Sequence, residues 1–174
     1  MPLAILPRFW SSRAAMETKA RPDMTGFEFD WLASDADGSV ALFSTAGGGF
    51  APMPSLQNPE AHQVAIDELL AGPASTTARF APEFPAARQN TWQLVAERGL
   101  YAFDSDAHGG AYRLLAAPSV PARVADLPSA ARAVVGLIRF RHLRFSELTS
   151  VPPELLQSWG ASVRATRWDP DPRR

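Results

Sequence analysis

Residues 29–49 read FDWLASDADGSVALFSTAGGG, and the fold follows from how this stretch is read. Starting at Phe27 the side chains alternate, with Phe27, Phe29 and Trp31 on one side and Glu28, Asp30 and Leu32 on the other. That is the period of a half-buried strand. Asp37-Gly38 predicts a tight hairpin turn, because such a turn needs a positive φ that Gly adopts without a Cβ penalty. Residues 39–45 return as the second strand. Gly47, Gly48 and Gly49 close it, either by letting the chain turn sharply or by letting another backbone approach closely.

Two other readings of the stretch fail on chemistry. A calcium loop needs further oxygen ligands and a terminal bidentate Glu, but apolar strand follows Asp35-Ala36-Asp37-Gly38. The same deficit applies to Asp104-Ser105-Asp106. A phosphate cradle would pass from its glycines into a helix N-terminus and use a nearby Lys. Here residues 50–54, FAPMP, intervene, no Lys is near and the local charge is negative.

Further along, Pro52, Pro54 and Ser55 read as loop. Asn58-Pro59-Glu60 is a helix start, with Asn as the cap, Pro at the first helical position and Glu at the positive end of the dipole. This helix runs to Gly72-Pro73, and residues 73–88, rich in Pro and Ala, read as loop. A second helix over residues 91–98 stops at Gly99. Residues 100–104 and 111–116 form a second hairpin about a turn at 106–110. A short helix follows over 126–135. Residues 135–145 read as a strand that places Arg139 and Arg141 on one face and Ile138 and Phe140 on the other. Two hairpins with helices between them and no βαβ alternation predict an α+β domain. The expected sheet is antiparallel, built from two or more β-hairpins, with two or three short helices packed against it.

The 174 residues suffice for one domain with a substantial core. Residues 1–23 lack a sustained period and read as a flexible arm or an over-extended gene start. Residues 24–168 form the globular domain, and 169–174 a disordered tail. The absence of Cys excludes a disulfide framework, a thiol nucleophile and Cys-held zinc. The opening MPLAILPRFW is too short and too broken by Pro7 for a secretory h-region, and no membrane-length apolar run follows. Lys19 is the only lysine beside sixteen arginines, a coding bias without functional content.

Net charge is −1, but its distribution is uneven. Between Met24 and Ala78 stand Glu28, Asp30, Asp35, Asp37, Glu60, Asp67 and Glu68, with no Lys or Arg. From Arg79 onward arginines outnumber acids. An acidic surface is what a protein needs to occupy a basic, nucleic-acid-like footprint. The histidines His62, His108 and His142 have no metal-ligand spacing, and no G-x-S-x-G elbow supplies a nucleophile. His62 reads as a helix-surface or boundary residue. Asp30, Asp35 and Asp37 admit acid–base chemistry only if their environments split their pKa values. Arg139, Arg141 and Arg144 could follow a nucleic-acid backbone, but the stretch lacks exposed stacking aromatics.

Three segments carry a family resemblance. They are Trp31 with residues 35–49 (DADGSVALFSTAGGG) and Pro52 and Pro54; residues 92–104 (WQLVAERGLYAFD); and residues 112–118 (YRLLAAP) with Asp126-Leu127-Pro128, Phe140 and Phe145. Their order resembles small bacterial immunity proteins of polymorphic toxin systems, over roughly residues 24–150. The resemblance implies a non-enzymatic cytoplasmic protein that binds and blocks a cognate toxin encoded nearby; no cofactor, metal, nucleic acid or membrane is expected. It supplies no catalytic residues. Charge adds contact candidates: Asp30, Asp35, Asp37, Glu60, Asp67 and Glu68, with Phe50 and Met53 as apolar anchors. An adaptor for a secreted effector and an unfamiliar hydrolase remain as alternatives.

Overall fold

The computed structural model describes residues 28–82, 84 and 89–156. The expected arm at 1–23 and tail at 169–174 lie outside the described residues. Strands β1 (Asp30–Ser34) and β2 (Val40–Ser44) pair antiparallel about the Asp37-Gly38 turn, where Gly38 has a φ of +75°. Two helices follow, α1 (Met53–Gln57) and α2 (Pro59–Ala71). Then come β3 (Ala78–Phe80), α3 (Gln89–Glu97), β4 (Tyr101–Asp104), β5 (Tyr112–Pro118), α4 (Ser129–Val135) and β6 (Ser150–Val151).

The protein is α+β, but its sheet is mixed, not antiparallel throughout. The strand order is β1-β2-β4-β5-β3, with β6 also on β5, and β2 runs parallel to β4. The long connection from β2 to β4 through α1, α2, β3 and α3 makes this possible, since a parallel pair needs a crossover and not a tight turn. The prediction of no βαβ-like unit is therefore corrected. Residues 73–88 contain β3, and the expected loop at Pro54 and Ser55 is the short helix α1.

Both sheet faces are covered, which overturns the half-buried reading of β1. Leu32, Leu42 and Ala102 face a core completed by Ile66 of α2, Val95 of α3 and Val135 of α4. The opposite face is aromatic: Trp31 stacks on Phe43 at 4.1 Å, and Phe43 on Phe103 at 4.9 Å. Ile138, Phe140 and Phe145 cover this layer. Residues 135–145 are thus not a strand. They make one parallel bridge, Ser34 to Arg139, and run along the outer edge of β1. The Ser34 amide donates to the Ile138 carbonyl, Phe140 donates to that of Ser34, and Ala36 to that of Leu143. Sheet edges are exposed templates for pairing, and this segment occupies one.

The glycine triplet acts through close approach. A Cβ at Gly49 would lie 2.7 Å from the Tyr112 hydroxyl, and one at Gly109 would lie 2.8 Å from the Gly48 carbonyl. The loops that follow β2 and β4 therefore pack backbone to backbone.

Candidate functional site

The hairpin turn does not present its acids as the sequence suggested. Asp35 is 1% exposed, and its carboxylate accepts the main-chain amides of Ser39 at 2.7 Å, Asp37 at 3.0 Å and Phe145 at 2.9 Å. It fastens the turn to the segment over β1 and has no face left for a partner. Asp37 is exposed but paired with Arg144, whose Nε donates to both carboxylate oxygens at 3.2 and 3.1 Å. Arg123 donates to the Asp37 carbonyl at 2.9 Å and to Ser39 Oγ at 3.0 Å, while Arg139 reaches the Ala36 carbonyl at 3.4 Å. Arginines distant in sequence thus surround the turn.

Helix α2 separates its residues by face. His62, Ala65 and Ile66 are buried, whereas Glu60, Asp67 and Glu68 are exposed. These three lie around Val64, which is 60% exposed. At about 100° per residue, positions 60, 64, 67 and 68 fall on one side of the helix. The Asp67 carboxylate accepts from Gln63 Nε2 at 2.8 Å and stays in solvent. Met53, half-buried, begins α1, which abuts α2. Phe50 is half-buried against the aromatic layer, and its carbonyl accepts the Tyr112 hydroxyl at 3.0 Å. Of the eight predicted contact residues, the structure brings Glu60, Asp67 and Glu68 onto one open surface.

Asp30 belongs to a different place. Across the sheet, Asp30 stands opposite Ser44, Ser44 beside Asp104, and Asp104 opposite Arg113. This polar row lies at the carboxyl ends of the parallel strands β2 and β4. Burial raises the Asp30 carboxyl to about 6; a hydrogen bond with Ser44 opposes the rise, and Glu28 and Asp104 add to it. Its Oδ1 is buried without a hydrogen-bond partner. A carboxyl that exchanges its proton near pH 6 has the property required of a general acid or base. Among the described residues no group of three His, Asp or Glu side chains could hold a metal ion. Nothing in the local pattern signals that Asp104 joins the row of Asp30 and Ser44, because that alignment depends on the parallel register.

A cleft of about 910 Å³ opens between β3 and residues 146–150, along the outer edge of β5. Arg79, Arg113, Asp104 and Glu147 line it with both signs of charge, and Phe80 and Tyr101 add aromatic wall. Burial raises the Tyr101 hydroxyl pKa, so it acts as a neutral hydrogen-bonding group there. No family model, curated protein or solved structure matches this chain.

Proposed function

We propose that the protein is a binding module of the immunity type that occupies a basic surface of a partner toxin with the outward face of α2. One observation carries this reading: exposed Val64 shares one side of the helix with exposed Glu60, Asp67 and Glu68, and among the described residues none of these three carboxylates forms an ion pair. An apolar centre within a charged rim is the usual anatomy of a protein interface. Acidic side chains there steer association with a cationic partner and compete with its anionic substrate. In this reading the protein works in the cytoplasm without cofactor and catalyses nothing. The family resemblance, carried by turn glycines and core aromatics, points the same way.

The test is co-expression of the tagged chain with the product of the adjacent gene, scored for co-purification and rescue of growth. Both are expected, and co-purification without rescue would make the protein an adaptor. Glu60→Lys, Asp67→Lys and Glu68→Lys together should slow association and flatten its salt dependence. Unchanged association kinetics in that variant would remove α2 from the interface. A second reading, a hydrolase, has its own support in the Asp30 carboxyl, which burial raises to about 6 in the row it shares with Ser44 and Asp104. It requires a small molecule whose stabilising effect on thermal unfolding disappears in Asp30→Asn.

A further inference from the structure

Helix α2 is fastened to the sheet by a histidine with no place for a second proton. His62 is fully buried, which corrects its reading as a helix-surface or boundary residue. Its Nδ1 accepts the main-chain amide of Leu32 in β1 at 3.0 Å. A nitrogen that accepts is unprotonated, so the ring carries its proton on Nε2. That nitrogen has no hydrogen-bond partner. The Phe29 ring meets the imidazole edge-on at 6.3 Å.

A second proton would have to enter at Nδ1, where it would oppose the Leu32 N–H, donor against donor. The resulting cation would be buried without an acceptor, which is costly in an apolar interior. The elements packed on α2 offer no compensation. Strand β1 carries Asp30, α4 carries Arg132, α1 carries no ionisable side chain, and α2 itself has Glu60, Asp67 and Glu68 facing outward. None of them contributes to the His62 shift: burial alone lowers its pKa to about 4.

We propose that His62 is an acid-sensitive latch, whose protonation releases α2 from β1 and withdraws the acidic face from its partner. The second half of this statement rests on the reading of α2 as the docking helix. The first half does not. An open α2 would expose His62 to water and return it toward 6.5. Two-state linkage then raises the open fraction roughly 20-fold from pH 7 to pH 5, and roughly 100-fold by pH 4.

The latch is read by amide hydrogen exchange on the full chain without partner, comparing protection factors at pH 7 and pH 5. Residues 63–70 of α2 should lose roughly 20-fold in protection relative to the interior of β2 and β4. His62→Asn places an amide oxygen near the Nδ1 position, so it can accept from Leu32 without titrating. It should hold α2 protection constant. Constant protection in the wild type, or an equal loss in His62→Asn, overturns the latch. If the variant folds poorly, the imidazole resonances of the wild type decide, since a His62 titrating near 6.5 ends the proposal. If α2 opens in acid while association with the co-expressed partner keeps its pH-7 affinity, the latch stands and the docking role of α2 is lost.

Discussion

Asp30→Asn tests the electrostatics of the sheet end directly. The Asp30 carboxyl rises from 3.8 to about 6 on folding, which at 1.36 kcal/mol per unit amounts to about 3 kcal/mol. The folded state holds this proton up to about pH 6, whereas the unfolded chain releases it near 3.8. The favourable contribution is therefore complete below 3.8 and is lost as pH rises through 6. His62 has the opposite slope: its pKa falls from 6.5 to about 4, so its contribution is present above 6.5 and lost as pH falls through 4. Between pH 4 and 6 the two nearly cancel, and the wild type should vary little there from these groups. Asp30→Asn removes one of them. Urea unfolding at a series of pH values should show the variant gaining on the wild type by about 3 kcal/mol between pH 3.5 and 7.5. In the same variant the His62 slope emerges, with stability falling by up to about 1.4 kcal/mol per pH unit below 6. A variant-minus-wild-type difference that stays flat across this range would refute the claim that burial raises the Asp30 carboxyl to about 6.

Other substitutions probe the frame. Asp35→Asn turns an amide donor toward a main-chain N–H and should cost roughly 2–4 kcal/mol by urea unfolding, with exchange of the Phe145 amide accelerated in the same measurement. Phe43→Ala removes the ring stacked between Trp31 and Phe103 and should cost about 3–5 kcal/mol; a loss under about 1 kcal/mol would mean that the aromatic layer is not close-packed. Gly49→Ala collides with the Tyr112 hydroxyl, so the loops after β2 and β4 must separate. The expected loss is about 1–3 kcal/mol, partly recovered in the double variant with Tyr112→Phe.

What could be read from the sequence was local. Asp37-Gly38 marked where the hairpin turns, but the loop is longer than the two residues expected: the Asp35 amide donates to the Ser39 carbonyl, so Ala36, Asp37 and Gly38 lie between the strands, and of these Gly38 takes the positive φ. Asn58-Pro59 and Gly72 marked the ends of α2, although the Asn58 side chain makes no capping hydrogen bond. That Glu60, Asp67 and Glu68 share one side of α2 follows from helical periodicity alone. What was missed depended on distant partners. Asp35 looked like a surface acid, but one of its three donors is the Phe145 amide, 110 residues later. The parallel pairing of β2 with β4 leaves no periodic trace, so the Asp30, Ser44 and Asp104 row was invisible. The alternation in residues 135–145 was real but misleading: Ile138, Phe140 and Phe145 do turn inward, on an irregular chain with a single bridge. His62 stands on a helix that is exposed along much of its length, and only the contact with Leu32 explains its burial.

The segment over the edge of β1 also sets an order of events during synthesis. The first hairpin leaves the ribosome early, yet the groups that occupy its outer edge, the Ile138 carbonyl and the Phe140 amide, are made about a hundred residues later. Until then a strand rich in apolar residues is open on one side to any other chain. A chain that ended between α4 and Ile138 would keep that side permanently unprotected, prone to pair with its neighbours on the polysome. Proteolytic quality control would meet such a fragment as an aggregate precursor, although its hairpin sequence is intact.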